Sequence, residues 1–456
     1  MAVSLDESNL IAELTKQRDN RLSKDELLGK QYEGAHRLEH IGLAVPPELR
    51  RFEMIANWNR VCVDSVEQRQ RVKTFILPGE DKGSAVLREH WDANNLDSES
   101  RLLHRDKLIY GRGFVVVGTN EDDADHPLIT VESPLELTAM VDPRTRRISA
   151  ALRLYGGTED APDPVYATLY QPDSTVWLEK SQGGWVETDR DDHRLGRVPI
   201  VMFLNRRRTG IWTGESEMTD VIPLVDAAAR SLTGLQLAAE TIIVPKRYVL
   251  GMSKGDFVDS NGKPLPVWEA YFGSLWANAN KDAKVGQLDG ADLTMFHKTV
   301  EHYAQLASSV TGLPTRYFGQ TSVNPAAEGA IRADESRLVL NVEAKNDNDG
   351  DGWAWVQGIA ERFRTGAWPL ANQIKTEWHD PGTPTFAQKA DALQKMHGGG
   401  PIISREGSWD ELGWSDARKD REREYFKDEA QDPYLATLTA KESAADGVAD
   451  VTGVGA

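Results

Sequence analysis

Cysteine is almost absent from this 456-residue chain: Cys62 stands alone, so no intramolecular disulfide forms and no disulfide scaffold holds the fold. Long apolar runs are missing as well. FVVVG and TIIVP are strand-sized, far short of the roughly 18 apolar residues of a membrane-spanning helix. A basic surplus is lacking too. The chain sets 53 Lys and Arg against 71 Asp and Glu, a net charge of −18. That argues against a protein that coats nucleic acid, though not against local basic patches or a channel. The opening MAVSLDESNL shows neither the basic region nor the apolar stretch of a signal peptide. The expectation is a soluble chain made in a reducing cytoplasm.

The signatures of nucleotide chemistry are missing in the same way. GMSKGDF and GEDKGS have neither the spacing nor the terminal Lys-Ser/Thr of a phosphate loop. GRGFVV holds two glycines of a dinucleotide fingerprint without the third, and GESEM is not a nucleophile elbow. No carboxylate pair stands out on so acidic a chain. No catalytic residue, metal ligand or cofactor is therefore assigned.

What is present suits a soluble globular protein of about two to four domains, with 40% hydrophobic and 27% charged residues. Residues 1–45 are polar and helical in pattern, with a capping-box-like start at Ser23 before Lys24, Asp25 and Glu26. After Pro46–Pro47, Phe52, Ile55, Cys62 and Val66 fit one stripe of a helix running through ELRRFEMIANWNRVCVDSVEQRQRV. Pro78–Gly79 breaks it. Two shorter helices follow, around AVLREHWDANN and ESRLLHRDKLIYG, the second stopped by Gly111 and Gly113. From Phe114 to about Phe203 the period changes to short segments rich in Val, Thr and aromatics, separated by Asp, Pro and Gly. FVVVG, LITVES, ISAALRLYG, VYATLYQ and TVWLEK predict an antiparallel sheet packed on the N-terminal helices.

Helical period returns with a strict alternation of 3 and 4. Val221, Val225, Ala228, Leu232, Leu235, Ala239 and Ile242 form one seam. Leu293, Phe296, Val300, Tyr303, Ala307 and Val310 form a second. Side-by-side packing of two helices follows, in a bundle core or between subunits. Between them, residues 246–288 are irregular, and Trp268, Tyr271, Phe272 and Trp276 suit either an interface or a small private core. Gly312 and Pro314 end the second helix, and a third runs from near Ala326 past Val342. From about Pro381 the chain is helical and polar, and it closes on a tail.

Three motifs need weighing. HRLEH at His36–His40 matches H-x-x-E-H, a helix-borne zinc motif, but Gly42 and Pro46 cut the helix short and FVVVG downstream supplies no carboxylate. A solvated helix face is the expectation. NDNDGDG places Asp347, Asp349, Asp351 and Gly352 at the first positions of a calcium loop, yet position 12 is Gly358. A polar kink or loop within a long helical region is expected instead. NRRR, from Asn205 to Arg208, is a basic knot suited to solvation, an intersubunit salt bridge or phosphate.

Taken in order, YEGAHRL, NWNRVCVDSVEQRQRV, WDANNLDSESRLLHRDKLIYGRGFVVV, VDPRTRRISAALRLY, PIVMFLNRRR, GESEMTDVIPLVDAAARSL, VTGLPTRYFGQTSVNPAAEGAIRADES and TFAQKADALQKM resemble the portal proteins of tailed bacteriophages. The likeness is to the siphophage type of actinobacterial phages and spans roughly residues 30–400. It implies an α+β subunit with a wing of mixed helix and antiparallel sheet, a two-helix stem, a small α/β clip and a helical crown. By resemblance the wing is 1–217, the stem helices 218–245 and 291–312, and the clip 246–290. The tunnel loop is 313–325, a long helical connection 326–379, and the crown and tail 380–456.

The resemblance further implies a homo-oligomeric ring, a dodecamer, at one capsid vertex. Double-stranded DNA would pass through it without sequence preference during packaging and ejection. Terminase large subunit, head-completion or adaptor proteins and the major capsid protein would be its partners, and no membrane. Gly319, Gln320, Thr321, Ser322, Val323, Asn324 and Pro325 would form the tunnel loop facing DNA. Val221, Val225, Ala228, Leu232, Leu235, Phe296, Val300, Tyr303 and Ala307 would pack the stem, and Trp268, Tyr271, Phe272 and Trp276 the clip interface. Nucleotide hydrolysis would fall to the terminase, in keeping with the missing phosphate loop. The protein would sit in the virion and, during assembly, in the host cytoplasm. Another head connector or scaffolding ring protein and a metal-dependent hydrolase using HRLEH or a carboxylate pair are the competing readings.

Overall fold

Residues 3–38, 54–80, 82–158, 161, 163–242, 247–250, 284–287, 293–320, 328–370, 373–382, 386–397 and 401–431 are described by the computed structural model. The first helix, α1 (Leu5–Glu33), starts well before Ser23. Ser4 Oγ accepts from the Glu7 N–H at 3.2 Å, and the Glu7 carboxylate accepts from the Ser4 N–H at 3.1 Å. That reciprocal cap satisfies two orphan donors, whereas Ser23 lies mid-helix with its turn already bonded.

The long helix expected after Pro46–Pro47 is shorter than its pattern suggested. Asn57 caps α2 (Trp58–Glu67), and Val72–Ile76 is a strand, β1. Within VKTFI the buried residues are Val72 and Phe75. The strand pairs antiparallel with β12 (Lys375–Trp378), a partner invisible to a local pattern. Helices α3 (Ala85–Ala93) and α4 (Leu96–Tyr110) fall where expected, and Gly111 ends α4 at φ 85°. A Cβ there would sit 2.7 Å from the Glu215 backbone nitrogen, so glycine serves both the left-handed turn and a close chain crossing.

The strand-rich region forms two sheets rather than one. β2 (Arg112–Gly118) lies between β3 (Leu128–Glu132) and β9 (Ile200–Leu204). The other sheet is an antiparallel meander of β4 (Leu137–Val141), β5 (Ile148–Tyr155), β6 (Tyr166–Tyr170), β7 (Thr175–Ser181) and β8 (Gly184–Asp191). Period-2 alternation assigns the faces. Ala150, Leu152 and Leu154 pack on Ile11 and Leu14 of α1, while Ala151 turns to the other face and joins Phe114, Val116 and Ile200 of the small sheet. Val115, Val117, Val201 and Phe203 then point away, into a core with Phe75, Leu87, Trp91 and Trp353. Helix, sheet, sheet and helices thus stack in layers, with three apolar interfaces between them.

Helix α5 (Ile222–Ile242) leads to a two-stranded ribbon of β10 (Arg247–Leu250) and β11 (Lys284–Gln287). Then come α6 (Thr294–Thr311), ended by Gly312 at φ 74°, and α7 (Glu328–Thr365). The loop or kink expected at NDNDGDG is absent: residues 346–352 are helical throughout α7. The reason lies in the packing. Asp349 is buried against the Lys107 ammonium and accepts from Gln70 Nε2 at 2.9 Å, and Asn348 Nδ2 donates to the Leu204 carbonyl at 3.0 Å. A Cβ on Gly352 would lie 2.5 Å from the Phe203 ring. Asp349 and Gly352 thus lie on the helix face fitted to the core, while Asp347 and Asp351 are exposed.

A separate unit covers residues 383–456. Its described part is helical and polar, as expected, with α8 (Phe386–His397), α9 (Arg405–Glu411) and α10 (Asp416–Gln431). Trp409 stacks between Trp414 and Phe426 at centroid distances of 5.7 and 5.9 Å. Among the described residues no helix is long and apolar enough to cross a membrane.

Candidate functional site

The two seam-bearing helices meet. Val221, Val225 and Ala228 from the α5 side and Ala304 and Ala307 of α6 are buried in one cluster, with Val300 and Tyr303 packed on its flank. Leu232, Leu235 and Phe296 lie further along and stay half-buried. Gly234, which the seam count passed over, takes the Phe296 ring: a Cβ there would sit 3.3 Å from its Cε1. Val310, counted in the seam, is instead 44% exposed, on the outward face with Leu306. Burial is thus complete at the base of the pair and partial beyond it.

A buried polar joint holds that base. Glu217, just before α5, accepts from Lys345 Nζ at 2.9 Å and Asn205 Nδ2 at 3.0 Å, and Arg206 Nε lies 3.4 Å away. Its N–H donates to the Leu108 carbonyl at 2.8 Å, and Lys345 also donates to Asn205 Oδ1 at 2.6 Å. Burial alone would raise the Glu217 pKa. The charges of Lys345 and Arg206 and the hydrogen bonds from Asn205 and Lys345 overcome it and bring the value down to about 2. One residue, through its carboxylate and its N–H, therefore ties α4, the β9 turn, the α5 entrance and α7 together. Of NRRR, Arg206 serves this joint and bonds Asp220 at 2.6 Å, while Arg207 and Arg208 remain exposed.

His36 of HRLEH is buried and its Nε2 meets Asp226 Oδ1 of α5 at 3.0 Å, so its ring braces the same helix. His40 lies outside the described residues. No group of three metal-ligating side chains occurs among the described residues.

Past Gly312 the chain is clamped again. Glu335 of α7 receives Arg69 Nη2 at 3.0 Å, Arg316 Nη2 at 2.5 Å and the Tyr317 hydroxyl at 2.9 Å. Phe318 packs edge-on against Trp58 with centroids 5.7 Å apart. Gly319 follows at φ 84°, and Gln320 Nε2 donates to the Glu301 carbonyl of α6 at 2.7 Å. The tunnel-loop candidates thus divide. Gly319 closes the turn after Phe318 and Gln320 is tied to α6, while Thr321, Ser322, Val323, Asn324 and Pro325 lie outside the described residues. So do Trp268, Tyr271, Phe272 and Trp276. Sequence reasoning missed Glu217, Lys345 and Glu335, whose roles come from partners more than a hundred positions away or across a turn. Only the basic knot hinted at a nearby acid.

The mixed helix and antiparallel sheet that the sequence resemblance implied are thus present, with the two seam helices packed together. A model of the family described as phage portal protein, SPP1 Gp6-like, matches residues 11–433. The chain belongs to that family. It is a phage portal protein. The portal proteins of Mycobacterium phage D29 and Mycobacterium phage L5 are each 34% identical to it over 409 residues, covering 88% of this chain and 84% of the relative. Both infect actinobacteria, as the resemblance had it. Among solved structures, the neck of an empty gene transfer agent particle computed with C6 symmetry matches with a TM-score of 0.48 and 15% identity, over 82% of this chain and 95% of that one. The neck of the native particle computed with C12 symmetry gives 0.46 and 13%, over 86% and 93%.

Proposed function

We propose that this portal protein closes into a homo-oligomeric ring of twelve copies at one capsid vertex, and that double-stranded DNA enters and leaves along the ring axis. The observation that carries the reading is the α5/α6 pair. Its base is fixed by a buried polar joint, its upper half is only half-covered, and Met295 at 65% exposed lines up with Leu306 and Val310 on the outward face of α6. Side chains of that kind want neighbours, and a ring supplies two per subunit.

In this reading residues 1–217 are the wing, 218–245 and 291–312 the stem, and 246–290 the clip. Residues 313–325 carry the tunnel loop, 326–379 connect onward, and 380–456 form the crown and tail. The loop rooted at Gly319 and Gln320 faces DNA with short uncharged side chains and touches the backbone without reading sequence. Terminase large subunit, head-completion or adaptor proteins and the major capsid protein dock on the ring during assembly in the host cytoplasm. The subunit itself hydrolyses nothing, and the terminase drives translocation.

The purified chain tests this. Light scattering is expected to give a particle of roughly 600 kDa, twelve times 50.6 kDa, and negative-stain images of the same fraction a central hole. A 50.6 kDa particle at every accessible concentration would contradict it.

A further inference from the structure

An acidic chain keeps five arginines together without an ion-pair partner among the described residues. Arg146, Arg147, Arg197, Arg207 and Arg208 line two adjoining cavities, of about 300 and 290 Å³, joined at Arg146, Arg207 and Trp212. None of the five forms an ion pair among the described residues. The acid beside Arg146 and Arg147, Asp142, is committed to its own turn, accepting from the Arg144 N–H at 2.9 Å and the Thr145 hydroxyl at 2.6 Å. Arg197 lies over the Trp355 ring at 3.8 Å, half-buried beside Arg147, and burial together with that neighbouring charge lowers its pKa to about 10. A desolvated guanidinium next to another cation is an arrangement that an anion completes.

The groove runs along β9, the edge strand of the small sheet. The Val117 N–H bonds the Pro199 carbonyl and the Asn205 N–H bonds the Gly111 carbonyl. With the register of the pair, this turns the polar backbone groups of Ile200, Met202 and Leu204 away from β2. Asn348 takes the Leu204 carbonyl, which leaves the backbone of Ile200 and Met202 facing the groove. Cavities of this size admit a few side chains of a loop, not a duplex, and their lining holds one carboxylate, Asp351, against five arginines.

The same sheet carries the complementary charge on its other side. Residues 119–127 join β2 to β3 and include Glu121, Asp122, Asp123 and Asp125, all exposed. Asn120 fixes the loop, donating to the His126 carbonyl at 2.9 Å and accepting from the Asp122 N–H at 3.2 Å. Thr119 donates to Asp191 at 3.1 Å, which adds a further acid to this surface. Among these loop acids only Asp123 has an ion-pair partner among the described residues, His126 at 2.7 Å. The order β3-β2-β9 puts the β2–β3 loop and the open edge of β9 on opposite sides of β2.

We infer that the arginine groove receives the acidic β2–β3 loop of a neighbouring copy of this chain, as the head-to-tail contact between adjacent wings. The inference rests on the ring proposed above. A ring needs two different, complementary faces on each subunit, and these two have opposite charge.

Charge exchange in the full-length protein tests it. The triple variant R146E/R147E/R207E and the triple variant E121K/D122K/D123K are each expected to raise the concentration for half-assembly at least about tenfold, by light scattering. Mixed in equal amounts they restore assembly, because each groove then meets a loop of opposite charge in an alternating ring. All altered residues are exposed, and unchanged circular dichroism melting confirms folding. Wild-type rings with either variant assembling normally, or no rescue on mixing, overturn the pairing alone. Normal assembly with loss of duplex DNA retention only in the groove variant overturns it in favour of a phosphate site. A wild-type chain that never forms rings removes the ring reading, and this contact with it.

Discussion

Replacing Lys107 with alanine is expected to destabilise the N-terminal unit by about 3–5 kcal/mol, because the Asp349 carboxylate is left buried without its cation. Lys107 is 1% exposed, and its ammonium sits between Asp349 Oδ2 and Gln70 Oε1. Burial lowers the Lys107 pKa, and Asp349 works against that. Close by, His104 accepts from Trp353 Nε1 at 3.2 Å. Burial first, then the Lys107 charge, pushes the His104 pKa down to about 3, so the ring stays neutral. Asp349→Ala is expected to cost a similar amount by stranding the lysine. The double variant Lys107→Met, Asp349→Leu removes both charges and is expected to recover most of the loss. Denaturant midpoints of the four proteins check this. A single Lys107→Ala chain as stable as wild type would show that the ion pair does not hold α4 to α7.

The second large effect concerns the helix pair. Ala307→Glu is expected to abolish assembly, because Ala307 is fully buried on the face of α6 toward α5 and an ionised carboxylate there has no partner. The cost, of the order of several kcal/mol, is avoided only by α6 lifting off α5. The layered sheets do not depend on that contact, so circular dichroism is expected to retain the strand signal while light scattering shows loss of the large particle. Leu306→Glu is the control for the subunit. At 38% exposed it is expected to change monomer stability by no more than about 0.5 kcal/mol. An Ala307→Glu chain that assembles like wild type would mean that the α5/α6 seam is not needed for the stem.

Much of the fold was legible locally. Short apolar segments such as FVVVG and ISAALRLYG marked strands because both faces of β2 and β5 pack against a neighbouring layer. Gly111 and Gly312 marked helix ends because both sit at positive φ. The seam at 221–235 and 296–307 was legible because its base is an apolar contact with helical period. What misled was chemistry set by distant partners. NDNDGDG has the composition of a loop, yet Lys107 and Gln70 partner Asp349, the Leu204 carbonyl partners Asn348, and Phe203 fills the space at Gly352. VKTFI continued a helical stripe only until Lys375–Trp378 offered a ladder. Ser23 had the capping residues, but Ser4 and Glu7 formed the cap first. The polar joint at Glu217 left only the basic knot as a local trace, through Arg206, since its other cation Lys345 lies on α7. HRLEH is a motif by spelling only: His36 turns to Asp226.

The most direct test of the ring reading is a reconstruction of the virion without imposed symmetry. The account predicts this chain at a single vertex, as one ring whose axis holds duplex DNA, with the α5/α6 pair beside the channel. Density for the chain at many vertices, or a closed axis with DNA elsewhere, would contradict it.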